Sequence, residues 1–217
     1  MYLLAPTVLR IAAEELPAQV RVRFGSELRR SGAFAQLYML GAQAYLDAAK
    51  GDGPLAVLWS SRLGALHAVR AALDESLQHG EPAMPFTFIG MQPHLAGVLL
   101  AQRAHPVTRS AHLHLADDGW SLLLSVAQGW LAECERVLVG WVEESDSVGV
   151  AHCSDWCLLR KKPPAGAIHL EPELHEDAAV AATAEDWIAR IAAWRTGSRA
   201  PLLLRGGDEA WRFTREE

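Results

Sequence analysis

The chain carries several groups of side chains whose types and spacing could do chemistry. His152-Cys153-Ser154-Asp155-Trp156-Cys157 gathers two thiols, an imidazole and a carboxylate in one short stretch, the donor types that bind zinc. The spacing argues against it: adjacent residues on a strand point to opposite faces, and the chain has no Cys-x-x-Cys pair. Buried structural thiols are the better reading, and no metal or other cofactor is expected. His112 and His114 are two apart on an expected strand, so they share a face and could act as a ligand or base pair. With no carboxylate assignable to either, they read as lining an interface or a core edge. Ser60-Ser61 follows an apolar strand and precedes a helix, where a hydrolase nucleophile can sit, but the Gly-x-Ser-x-Gly pattern that permits the sharp turn is missing. Asp117 and Asp118 are adjacent carboxylates, and like charges held close raise one of the two pKa values as in an acid/base pair. Placed just ahead of an apolar helix, they are more simply an N-cap and a first-turn charge complementing the helix dipole.

The elements that must position these residues alternate between helix and strand. Phe34, Leu37, Tyr38, Gly41, Ala44, Tyr45 and Ala48 recur at helical spacing between Gly32 and Ala49, and Lys50-Gly51-Asp52-Gly53-Pro54 ends that helix. Leu55 to Trp59 is a short apolar run of the kind buried on both faces of a sheet, and it leads through Ser60-Ser61-Arg62-Leu63-Gly64 into a helix over Ala65 to Gln78. Pro82-Ala83-Met84-Pro85 reads as an extended lead-in to Phe86–His94, followed by a helix over Leu95 to Arg103. Thr108 to Leu115 is a strand, Ala116-Asp117-Asp118-Gly119 a turn, and Trp120 to Ala127 a helix. Arg136 to Val142 is a further buried strand, and Val148 to Leu159 completes the sheet.

Residues 161–182 read as a linker or surface loop, because Lys161-Lys162-Pro163-Pro164-Ala165-Gly166 is a break and His169 to Asp177 is polar and acidic. Residues 183–217 read as an appendage packed on the same domain: Thr183 caps a helix with Trp187, Ile188, Ile191 and Trp194 on one face, closed by Gly197. A hairpin then turns at Gly206-Gly207-Asp208. The expected class is α/β, a mixed sheet with helices on both faces in residues 1–160 plus this C-terminal helix and hairpin.

Composition narrows the function. Half of the 217 residues are apolar, enough for a substantial core, and 20 Lys and Arg against 26 Asp and Glu leave a net charge of −6. Nucleic acid is therefore not an expected partner, since phosphate backbones need a basic face. Three cysteines, Cys134, Cys153 and Cys157, read as reduced thiols, which points to the cytoplasm. The N-terminus lacks the basic flank of a signal peptide, and no run approaches the roughly 18 to 20 apolar residues of a membrane span.

The order of these features resembles the beta-ketoacyl synthase-like N-terminal domain family, short thiolase-fold relatives encoded in aryl polyene and xanthomonadin-type pigment clusters. The resemblance runs from about residue 20 to the C-terminus and is spread along the chain. Phe24-x-x-x-Leu28-Arg29-Arg30 resembles the family's arginine-containing segment before its first long helix. Ser61-Arg62-Leu63-Gly64 is similar to its Ser-Arg-x-Gly turn, Pro85-Phe86-Thr87-Phe88 with Ala96-Gly97 to the stretch near the ketosynthase dimer interface, and Trp187–Trp194, Gly207 and Trp211-Arg212-Phe213 to its tail. The chain departs from the family where relatives commonly show Ser-Val-His-Asn-Ala and it has Gly90-Met91-Gln92-Pro93-His94, and again at His112 and His114.

The resemblance implies one half of a ketosynthase, the half whose elbow carries a nucleophilic cysteine. Here that position falls within Ala116, Asp117 and Asp118, none of which is cysteine, so the expected protein is not an enzyme and the elbow is degenerate. In a ketosynthase dimer the strand before the elbow pairs across the twofold axis. The expected partner interface is therefore Thr108, Arg109, Ser110, Ala111, His112 and Leu113, with Phe86 and Phe88. The resemblance implies a chain-length-factor-like subunit pairing with a catalytic ketosynthase, contacting acyl carrier protein transiently through that complex, or a homodimer when isolated. A self-associating structural or acyl-binding protein is the alternative.

Overall fold

The computed structural model of the chain describes all residues except 5, 49–52, 81–83, 104–105, 117–118, 148, 164–165, 174–179 and 216–217. The center of the molecule follows from alternation within one strand. β3 (Leu55–Ser61) is buried along its whole length. Leu55, Val57 and Trp59 face one core while Ala56 and Leu58 face another, because successive side chains of a strand leave opposite sides of the sheet. Such a strand needs cover on both faces. On the first face lie α1 (Leu16–Phe24), α2 (Ala33–Ala48) and α5 (Leu95–Arg103); on the second lie α6 (Trp120–Trp130) and α7 (Ala184–Gly197).

The other strands are β1 (Tyr2–Leu3), β2 (Thr7–Ile11), β4 (Val107–His114), β5 (Arg136–Glu143), β6 (His152–Arg160), β7 (Ile168–Glu173), β8 (Val180–Ala181), β9 (Leu202–Gly206) and β10 (Glu209–Arg215). Among the described residues they form one sheet in the order β4-β3-β5-β6-β1-β7-β10-β9-β8, with β2 also pairing β6. β3 pairs β4 and β5 in parallel and β8 pairs β9 in parallel; the other pairs are antiparallel. The mixed α/β class expected from the sequence is the one observed, with the C-terminal helix and hairpin in place.

Two local readings need correction, and a third is completed by a helix the sequence left unassigned. Residues 168–173, read as part of a linker, form β7, which lies between β1 and β10. Their polar composition hid an alternation in which Ile168 and Leu170 are buried and His169 and Glu171 are not, the half-buried pattern of an antiparallel strand. The extended lead-in is seen at Met84, Pro82 and Ala83 lying outside the described residues, and Pro85 opens a short helix, α4 (Pro85–Gly90), where its missing N–H costs nothing. Thr183 does occupy the N-cap of α7, but its side chain makes no capping bond, and its carbonyl accepts from the N–H groups of Asp186 and Trp187 instead.

The tail is tied in by burial as well as by strand pairing. Trp187, Ile188, Ile191, Trp211 and Phe213 are all almost fully buried, and the Trp120 indole donates to the carbonyl of Ala184 at 2.8 Å.

On the opposite face, Gly41 lets α2 lie close against β6. A Cβ at this position would fall 2.6 Å from the Trp156 Nε1 and on the Ser154 hydroxyl, two groups that hydrogen-bond to each other at 2.8 Å. Alanine normally stabilises a helix by about 1 kcal/mol relative to glycine. Gly41→Ala is nevertheless expected to destabilise by about 2 kcal/mol through overpacking. Chemical denaturation checks the sign, and a stabilised variant would refute the close packing.

Candidate functional site

β4 is an edge of the sheet: it pairs β3 on one side and no described strand on the other. An unpaired edge offers backbone donors and acceptors to another chain. Thr108, Arg109 and Ser110 are exposed, while Ala111, His112 and Leu113 are half-buried. Ala111 and Leu113 pack toward the α6 core. Arg109 reaches the same side, its guanidinium 5.2 Å from the Trp130 ring centroid and 2.8 Å from a Glu133 carboxylate oxygen. On the other side a groove of about 260 Å³ runs between α5 and the edge, lined by Gly97, Val98, Thr108 and Ser110 among others.

The strongest concentration of exposed apolar side chains stands nearby. α4 buries no residue, and Phe86 and Phe88 are 69% and 56% exposed, with Met84 and Ile89 also exposed. α4 packs on α3 (Leu66–His79), whose Leu73 and Leu77 are exposed too. The chain leaving α4 reaches the end of β4: a Cβ on Gly64 would lie 3.4 Å from Pro93 and 3.0 Å from the His114 ring. Gly64 has φ +63, the left-handed conformation that glycine adopts most readily.

At that end of the sheet the structure joins two motifs that the sequence left separate. The Ser61 hydroxyl and His112 Nε2 are 2.9 Å apart, since β3 and β4 run in parallel and end together. The His112 ring meets His114 edge-on at 4.8 Å and lies 5.7 Å from Trp59 and 6.2 Å from Phe34. A hydroxyl bonded to an imidazole is the pairing used to activate a nucleophile. Two observations weigh against that use here: Ser61 is fully buried, and among the described residues no carboxylate bonds His112. The pair instead ties the edge strand to its neighbour.

Burial pushes the His112 pKa down to about 4, and the nearby His114 and His94 add to the effect. The unfolded chain then takes up this proton near 6.5, well before the folded one does. His112 therefore contributes full stability above about pH 6.5, lost progressively as pH falls toward 4. The whole shift corresponds to about 3 kcal/mol; His112 is partly exposed, so about 1 to 2 kcal/mol is expected. Glu144, whose pKa burial raises, acts in the opposite sense. The difference between the wild-type and His112→Gln stability profiles from pH 4 to 7 isolates the histidine, and parallel profiles would disprove its contribution.

Two further carboxylates, missed in the sequence, hold the turn between β3 and α3. Glu143 accepts from the N–H groups of Arg62 at 2.6 Å and Leu63 at 3.0 Å. Glu144 is buried and accepts from the His67 N–H at 2.9 Å, and the Leu66 and Phe34 amides face it closely enough to favour its charged form. One side chain thus bonds the first turn of α3 and faces that of α2. The only sequence signal was a pair of acids closing an apolar strand.

The segment expected to form a degenerate elbow is described only in part. Ala116 is exposed, while Asp117 and Asp118 lie outside the described residues. The expected aspartate cap is corrected: Gly119 occupies the N-cap of α6, with no side-chain cap bond. A Cβ there would meet the Ala116 carbonyl at 3.0 Å as well as Leu115, so the tight turn favours glycine. The thiols lie elsewhere. Cys134 follows α6, and Cys153 and Cys157 are buried on β6, where burial first and then Asp155 push the Cys157 thiol strongly up. Among the described residues no cluster of His, Cys, Asp and Glu could hold a metal, and no helix is long and apolar enough to cross a membrane.

No family model and no curated protein matches the chain. Solved structures do. The chain is similar to one from the complex of a ketosynthase, ApeO, with its chain length factor, ApeC, from Xenorhabdus doucetiae, with a TM-score of 0.65 and 15% identity over 99% of this chain and 100% of that one. It is also similar to the ishigamide ketosynthase/chain length factor, with a TM-score of 0.54 and 15% identity over 73% of this chain and 54% of that one. The chain has the thiolase-like fold of the subunits in ketosynthase/chain length factor complexes.

Proposed function

We propose that the protein is a non-catalytic, chain-length-factor-like subunit that pairs with a catalytic ketosynthase through β4 and α4. The observation that carries this reading is the open parallel edge of β4 beside a helix that exposes Phe86 and Phe88. A parallel strand is ordinarily covered, and exposed aromatic side chains beside an unpaired edge favour a protein partner. The elbow segment Ala116-Asp117-Asp118 supplies no thiol or hydroxyl nucleophile, which supports the loss of condensing chemistry in this subunit. The similarity to a chain from a complex of a ketosynthase with its chain length factor supports the kind of partner.

In this reading the complex extends an acyl chain of the aryl polyene or xanthomonadin type, delivered by acyl carrier protein, in the cytoplasm. Thr108, Arg109, Ser110, Ala111, His112 and Leu113 form the strand contact and Phe86 and Phe88 the apolar one. Co-expression with a ketosynthase from the same gene cluster is expected to give a 1:1 complex whose product length differs from that of the ketosynthase alone. A homodimer that leaves ketosynthase activity and product length unchanged would favour the self-associating alternative. An electrophile carried on acyl carrier protein is expected to leave residues 112–121 unlabelled, and a stoichiometric adduct there would overturn the non-catalytic assignment.

A further inference from the structure

A second surface stands apart from the β4 edge. α1 and the turn that follows it carry Arg21, Arg23, Arg29 and Arg30 within ten residues, in a chain whose net charge is −6. Between α1 and the start of α2 lies a concave site of about 590 Å³, lined by Pro17, Val20, Arg21, Gly25, Ser26, Arg29 and Gln36. That volume is in the range of small-molecule sites.

The charges around it are not balanced internally. Arg23 is paired with Asp47, and Glu27, the acid of the turn, is taken by Arg103. Elsewhere Arg10, Arg70, Arg109 and Arg212 each hold a carboxylate. Among the described residues Arg21 and Arg29, which line the site, and the adjacent Arg30 make no ion pair or side-chain hydrogen bond. Their fractional exposure is high. The Gln36 amide is oriented by donating to the carbonyls of Leu28 and Ser31, both at 3.0 Å, so the turn that carries Arg29 is held to α2. Gly25 has φ +63 and nothing within 4 Å of a would-be Cβ, which leaves that wall open.

We infer that this site binds a phosphate ester, with the Arg21 and Arg29 guanidinium groups on its oxygens and the Ser26 hydroxyl on its rim. Forked guanidinium donors match phosphate geometry, and the basic side chains here are all arginine rather than lysine. The concavity favours a small phosphorylated ligand over an extended acidic polypeptide, which would need a broader basic face. The inference does not depend on the subunit's pairing through β4.

Titration calorimetry of the full chain with pyrophosphate and with glycerol 3-phosphate tests it. Saturable binding is expected, weakened at least about tenfold in Arg21→Gln/Arg29→Gln, as loss of charged hydrogen bonds implies. Arg199→Gln, an exposed arginine on another part of the chain, is expected to bind as the wild type does. Arg21→Lys/Arg29→Lys keeps the charge but loses the fork and is expected to fall between. Phosphorus-31 line broadening with the wild type and the lysine variant decides the matter should the glutamine variant fail to fold. Absence of saturable binding below about 10 mM, or equal affinity in the arginine-to-glutamine or arginine-to-lysine variant, would overturn the assignment. So would binding of a poly-glutamate peptide that Arg21 and Arg29 control while neither phosphate binds.

Discussion

Phe86→Glu/Phe88→Glu is expected to leave the chain folded and to abolish its pairing with a ketosynthase. Both side chains stand in solvent, at 69% and 56% exposed, on a helix that buries nothing, so their removal should change stability by no more than about 0.5 kcal/mol. At an interface the accounting reverses. Exposed aromatic side chains that become covered are the usual anchors of binding, each costing about 2 kcal/mol or more when lost. Carboxylates in their place would also have to be desolvated without a partner. Together these predict at least about a 100-fold loss of affinity. Thermal melting and size-exclusion chromatography of the co-expressed pair read the two halves of the prediction separately. An intact complex carrying both glutamates would remove α4 from the interface while leaving the β4 edge to be tested by its own substitutions, such as Thr108→Lys/Ser110→Lys.

Glu144→Ala carries the largest expected cost to stability. The buried carboxylate bonds the His67 amide at 2.9 Å and is also met by those of Leu66 and Phe34. Deleting it strands the His67 N–H at the start of α3 in a buried place and removes the acceptor that faces the Phe34 amide, and an unsatisfied buried group costs about 1 to 3 kcal/mol. The loss is partly offset because a buried carboxylate pays for its own desolvation, visible in its raised pKa. About 3 kcal/mol of destabilisation is expected, or roughly 9 °C in melting temperature for a domain of this size. Glu144→Gln keeps one oxygen acceptor without the charge and should recover more than half of the loss. Equal melting temperatures for the alanine variant and the wild type would mean that the two helix starts are held by other contacts.

The two predictions differ in how far the sequence reached. Phe86 and Phe88 were expected at a partner surface because Pro85-Phe86-Thr87-Phe88 resembles the stretch near the ketosynthase dimer interface, and both side chains are exposed. The conformation that presents them was not legible: Pro82-Ala83-Met84-Pro85 reads as extended, and proline serves equally in a first helical turn. Glu143 and Glu144 gave no sign of their role. A carboxylate in sequence names neither the amide it accepts from nor the depth at which it does so, and the amides of Phe34 and His67 are far away along the chain. β7 was hidden for a related reason. A strand with one wet face carries half its residues polar, and with His169, Glu171 and Glu173 in the run it is hard to tell from a loop.

By itself the sequence determined the alternation of helices and strands, the two-faced burial of β3 and β5, and the absence of cysteine from the turn Ala116-Asp117-Asp118-Gly119. These properties are written in local periodicity and residue type, which the chain carries wherever it is placed. Tertiary structure alone decided that β4 is an edge, that Ser61 meets His112, that Glu144 bonds the start of α3, and that Arg21 and Arg29 share one concave site. Each of these depends on which segments become neighbours, and so on long-range strand order and packing.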